Sequence, residues 1–150
     1  MREFRKEDLY HCLQCAVCTG SCPVSAVIKD YNPREIILRY SLGDRENGGF
    51  DDDLLWCCTT CNVCRERCPH EIDITGLLTD IANRAALNGH LPKTLRDGIR
   101  LVMETGRLVK NTKATERSRR DLGLSPLENP GCDEIRTLFR ATGVEALLEE

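Results

Sequence analysis

The sequence predicts an all-α protein, and three observations carry that expectation. Apolar residues recur at i, i+3 and i+4 spacing over residues 74–85 and again over 95–103. No segment shows the strict apolar–polar alternation of a half-buried strand. A cysteine-rich run also occurs twice, and about 35 residues separate Cys22 from Cys58, enough chain for helices between the runs.

In chain order, the first helix is expected just after residue 32. Asn32 is a good N-cap, Pro33 suits the first helical position, and Glu35 can complete a capping box. Ile36, Ile37 and Tyr40 give this helix an apolar face and Gly43 ends it. GDRENGG then reads as a loop, and Asp51 to Trp56 as a further helical turn leading into the second cysteine run. Beyond that run, Ile74, Leu77, Leu78, Ile81, Ala82 and Ala85 form one stripe, with Asp73 as cap and Gly89 and Pro92 as stop. Leu95, Ile99, Val102 and Met103 mark another helix ending near Gly106.

From Arg107 the composition changes. KNTKATERSRRD reads as a polar connector and SPLENPG as loop. An amphipathic segment with Ile135, Leu138, Phe139, Val144 and Leu147 closes the chain, weakened in the middle by Gly143. The expected organisation is thus a domain over residues 1–106 and, over 107–150, a connector with an amphipathic tail. That tail either packs on its own body or docks on a partner.

Composition narrows the function. A net charge of −3 makes no case for nucleic acid or an anionic membrane surface. No run of 18 or more apolar residues occurs, so no membrane span is expected. MREFRKEDLYHC has no apolar stretch to act as a secretory signal, and a cytoplasmic location follows as the expectation. In that reducing compartment ten cysteines point to metal or redox chemistry rather than to disulfides.

The cysteines are ordered. Cys12, Cys15, Cys18 and Cys22 recur 46 positions later as Cys58, Cys61, Cys64 and Cys68, with Pro23 and Pro69 after each fourth cysteine. CxxCxxC lets one loop wind around a compact object and offer three thiolates, while the fourth cysteine leaves in another direction. In two-cluster ferredoxins that fourth cysteine ligates the other cluster. The expectation is therefore two 4Fe–4S clusters, one held by Cys12, Cys15, Cys18 and Cys68, the other by Cys58, Cys61, Cys64 and Cys22. Zinc ribbons fit this doubled spacing poorly. With the long separation between the runs, the fold expected is an α-helical ferredoxin-like domain with two 4Fe–4S clusters and a C-terminal extension.

The remaining chemistry-bearing residues are less constrained. Only Cys58 keeps the spacing, which leaves Cys57 as a buried neighbour and Cys132 as a plain thiol. His11 and His70 flank cluster cysteines and either tune them or stand idle in solvent. Arg65 and Arg67 offset cluster charge, contact a partner or are simply solvated. Trp56 shields the second cluster or anchors the core. No GxGxxG, P-loop or nucleophile set is present, so catalysis on a substrate is expected on other polypeptides.

HCLQCAVCTGSCPVS, LLWCCTTCNVCRERCPHEIDI and METGRLVKNTKATERSRRDLGLSPL resemble the iron–sulfur C subunit of heterodisulfide reductase, over roughly residues 7 to 127. The resemblance implies a relay that passes electrons from a flavin-bearing A subunit to a catalytic B subunit. It further implies that the latter reduces the heterodisulfide of coenzymes M and B in methane-forming archaea. A larger complex with a hydrogenase or formate dehydrogenase is implied as well. The family's eight ligands fall on the eight cysteines already named, and the doubled Cys57–Cys58 departs from its single cysteine after Trp56. Similar subunits serve sulfate reducers and sulfur oxidisers. Anaerobic glycerol-3-phosphate or succinate dehydrogenases offer a related alternative.

Overall fold

The computed structural model describes residues 4–43, 52–127 and 132–148. Among these residues all regular structure is helical and no strand occurs. The chain separates into two compact units, Met1–His90 and Leu91–Glu150. By packing, the helix ending at Thr105 falls in the second unit.

In the first unit a 3₁₀ turn, Lys6–Leu9, precedes α1, Val17–Gly20. The helix expected after Asn32 is present as α2, Pro33–Leu42, and Asn32 accepts a hydrogen bond from the Glu35 amide at 3.2 Å. The Thr19 hydroxyl donates to the same Asn32 oxygen at 2.7 Å, tying the cap to the first cysteine run. The Glu35 carboxylate pairs with Arg39 along the helix rather than completing the capping box. Gly43 stops α2 at φ +107°, a conformation open to glycine and costly for other residues. Of the expected GDRENGG loop, residues 44–49 lie outside the described residues. The helical turn before the second run is α3, Asp52–Leu55.

Helix α4, Val63–Glu66, sits inside the second run as α1 does in the first, and the two pack against each other. Helix α5, Ile74–Leu87, carries the predicted stripe, and Asp73 caps it by accepting from the Gly76 amide at 3.0 Å. Leu77 and Ile81 of α5 are fully buried together with Ile36, Ile37 and Tyr40 of α2, so these helices form the core that frames the cysteine runs. Tyr40 closes this core through its hydroxyl, which donates to the Phe4 carbonyl at 2.7 Å. The Arg84 guanidinium lies 5.4 Å from the centre of the Tyr40 ring.

The second unit begins with α6, Lys93–Thr105, ended by Gly106. The expected polar connector contains a helix, α7, Lys113–Asp121, capped by Thr112, whose hydroxyl accepts from the Thr115 amide at 3.1 Å. None of its residues is buried, so it has no apolar stripe to reveal it. The amphipathic tail is α8, Cys132–Ala141, and a 3₁₀ turn, Val144–Leu148, separated at Gly143 with φ +76°. Helix α8 folds back on α6 within this unit, and Arg136 Nε donates to the Met103 carbonyl at 3.2 Å. None of these three helices contains a fully buried residue.

Candidate metal centre

Each cysteine run is bent by backbone that non-glycine residues rarely adopt. Gln14 and Ala16, at φ 54° and 63°, flank Cys15; Thr60 and Asn62, at φ 51° and 63°, flank Cys61 at the equivalent positions. Each such residue costs about 1–2 kcal/mol against its ordinary conformation. Their recurrence in both runs marks a loop forced to curl, as strained backbone at functional sites does. The curl brings the first three cysteines of each run around one space, and the short helices α1 and α4 then carry the chain across to the other run.

The outcome is two cavities with crossed walls. One is lined by Cys12, Cys15, Cys18 and Cys68. The other is lined by Cys22, Cys58, Cys61 and Cys64. The eight cysteines thus line the two cavities in sets of four, each set drawing three from one run and one from the other. Burial repeats as well: Cys18 and Cys64 are buried, Cys15 and Cys61 are exposed, and the remaining four are half-buried. Among the described residues no three His, Cys, Asp or Glu side chains close on a single metal-ion position, whereas four thiols surround each cavity. A further link joins equivalent positions of the two runs: Arg67 donates to the Ser21 hydroxyl at 3.2 Å.

Burial pushes the thiols of Cys18 and Cys64 above their ordinary range, opposed by hydrogen bonds from Thr19 and Thr75 respectively. A bound metal reverses such a preference, since it takes thiolates and releases their protons. Several donors already point at sulfur. Gln14 Nε2 donates to Cys12 Sγ at 3.3 Å, and the Thr60 amide donates to Cys58 Sγ at 3.4 Å. Thr75 Oγ1 lies 3.5 Å from Cys64 Sγ. The Tyr31 hydroxyl is buried in the wall of the second cavity without a hydrogen-bond partner among the described residues. Leaving a buried hydroxyl unpaired costs about 1–3 kcal/mol, so an acceptor filling the cavity would relieve it. Burial and the neighbouring Cys58 thiol push the Tyr31 phenol far above its usual range, although the two groups are not aligned as a hydrogen bond. Four thiols per cavity, apolar walls and a stranded donor all fit a 4Fe–4S cluster.

Sequence reasoning does not find Gln14, Tyr31 or Thr75. Only Gln14 carries a signal, its place inside the motif; Tyr31 and Thr75 are distant in sequence from the thiols that they meet. Cys57 lines neither cavity; it is half-buried, and its thiol donates to the Asp53 carbonyl at 3.4 Å. Cys132 belongs to the second unit, where it donates to the Glu104 carbonyl at 3.3 Å. His11 is exposed, while His70, also exposed, lines the first cavity. Arg65 pairs with the cap carboxylate of Asp73 at 3.5 Å. Trp56 donates to the His90 carbonyl at 3.1 Å, packs on the core and lines neither cavity, which makes it an anchor.

Comparison with known proteins bears on these cavities directly. A family model described as a 4Fe–4S dicluster domain matches residues 8–72, the span of both runs. The chain is similar to the C subunit of the ferredoxin:CoB-CoM heterodisulfide reductase of Methanosarcina mazei, with 34% identity over 95% of this chain and 91% of the relative. It is 33% identical to the C2 subunit of the H(2)/formate:CoB-CoM heterodisulfide,ferredoxin reductase of Methanococcus maripaludis, over 94% of this chain and 78% of that one. It is 38% identical to the C subunit of the ferredoxin/F(420)H(2)-dependent CoB-CoM heterodisulfide reductase of Methanosarcina acetivorans, over 80% and 73% respectively.

Proposed function

Because the chain belongs to the family of heterodisulfide reductase C subunits, we propose that it is the electron-transfer component of such a reductase. Electrons pass from a flavin-bearing A subunit to a catalytic B subunit, which reduces the heterodisulfide of coenzymes M and B. The observation that carries this reading is the pair of cavities, each walled by four cysteines drawn from both runs. Cys12, Cys15, Cys18 and Cys68 would hold one 4Fe–4S cluster, and Cys22, Cys58, Cys61 and Cys64 the other. Each cluster, when bound, accepts and returns one electron.

The protein's own part is placement. Crossed walls hold the two sites close together, since Cys22 and Cys68 each follow directly from the run that encloses the other site. The exposed thiols of Cys15 and Cys61 give each cavity one edge near solvent, which suits entry on one side and exit on the other. The apolar neighbours Ile37, Ile72 and Ile74 in one wall, and Val24 and Leu78 in the other, limit water around the sulfurs. Arg67, through Ser21, holds the two runs in register.

Partner choice rests on the family. The relative named for H(2)/formate supports a larger complex with a hydrogenase or formate dehydrogenase. Among the described residues no helix is long and apolar enough to cross a membrane. Cysteines arranged to ligate clusters rather than to pair as disulfides support a cytoplasmic location.

The purified complex tests the assignment. We expect about eight irons on this chain, counting four per cluster, and two EPR signals that appear on reduction through the flavin-bearing partner. Both should vanish when the heterodisulfide is added. Clusters that stay reduced in the presence of that substrate would rule out the relay.

A further inference from the structure

Tyr31 is 1% exposed, and its side chain forms part of the wall that also holds Cys22, Cys58 and Cys64. Its backbone is fixed on both sides: the Tyr31 amide donates to the Ile28 carbonyl at 3.1 Å, and the Ser25 hydroxyl donates to the Tyr31 carbonyl at 2.7 Å. The ring is thus held in the cavity wall with its hydroxyl unpaired among the described residues. Tyr40, the other buried tyrosine, gives its hydroxyl a carbonyl partner on Phe4. Tyr31 shares its cavity with the thiols of Cys22, Cys58, Cys61 and Cys64, and Cys58 acts on it most among them.

We infer that Tyr31 donates a hydrogen bond to the sulfur of the cluster bound by Cys22, Cys58, Cys61 and Cys64, and thereby raises the reduction potential of that cluster. This rests on the two-cluster reading above. Reduction adds one electron and one negative charge, which spreads onto the sulfurs. A donor aimed at sulfur stabilises the reduced state more than the oxidised one. No proton moves, because a phenol with an ordinary pKa near 10 is already protonated at neutral pH. Tyr31 acts here as a positioning residue that biases where the electron rests. The other cavity has no such phenol; its side-chain donor to sulfur is Gln14.

The test is an EPR-monitored redox titration of the cluster-loaded full chain and of Tyr31→Phe, with Cys61→Ser identifying which signal belongs to the second cavity. We expect Tyr31→Phe to keep both clusters and to shift the second-cavity potential downward. The shift should correspond to about a tenfold change in its reduction equilibrium, about 59 mV for one electron. The first-cavity potential should not move. An unchanged second-cavity potential, or an equal shift of both, would overturn the inference while leaving the relay intact.

Should Tyr31→Phe fail to assemble, 3-fluorotyrosine in the wild-type chain supplies the second measurement. A more acidic phenol is a stronger donor, so the second-cavity potential should rise alone. Tyr10 is exposed and Tyr40 is already paired, so neither carries the effect. No rise would overturn the inference. Iron content keeps the two levels apart, since a wild-type chain with only one cluster would remove the relay reading itself.

Discussion

Asn32 joins two parts of the first unit through one side-chain oxygen. It accepts from the Glu35 amide and from the Thr19 hydroxyl, so it caps α2 and pins the end of α1 together. Asn32→Ala should cost about 1 kcal/mol for the lost cap, measured as a lowered midpoint in denaturant at unchanged slope. The neighbouring pair Cys57–Cys58 gives a sharper contrast. Cys58→Ala should lose a cluster, visible as a fall in iron and in the second EPR signal, whereas Cys57→Ala should keep both. Retention of full iron in the Cys58 variant would reverse the register. That register is legible from spacing alone, since only Cys58 preserves the repeat. Tyr31 is not, because a tyrosine ahead of an N-cap carries no pattern; its meaning comes from a cavity built by residues from Cys22 to Leu78.

Helices differ in how much of their stability is written in sequence. Helices α2 and α5 have caps, stripes and stops that coincide, and the amino-acid pattern alone reveals both. The four-residue helices α1 and α4 leave no such mark, because so short a segment has no period to detect and exists through the cysteine loops around it. Helix α7 is hidden for the opposite reason, being polar on every side. Burial therefore predicts stability here. Ile81→Ala in α5, at a fully buried position, should cost about 2–5 kcal/mol. In hydrogen exchange α7 should be the least protected helix and α5 among the most protected. Slow exchange throughout α7 would point to a packing partner outside its own unit.

As a whole, the chain divides where packing changes hands rather than where composition does. Composition puts the boundary at 106, where the helix stops and polar residues begin, but α6 takes its apolar partners from α8, far along the chain. Such non-local pairing leaves no local mark. The second unit keeps Leu108, Val109, Leu122, Leu124 and Leu138 exposed, consistent with a role in binding other members of a complex. Removing residues 132–150 should leave both clusters in place and weaken association with those partners, measured by co-purification. Equal recovery of the complex would instead make the tail a private brace. Stripping iron with a chelator should lower the thermal midpoint of the chain markedly, because ligand-bound folds lose the binding free energy with the ligand.

The crossed cavity walls also bear on how the protein is made. Neither cavity has its full wall until residues from both runs are present, and the first cavity needs Cys68. During synthesis the N-terminal run therefore leaves the ribosome with three of its four cysteine neighbours and waits for some 46 further residues before the set is complete. The second set closes with Cys64 and the first with Cys68, so a chain that stops before the second run offers no complete set of four to fill.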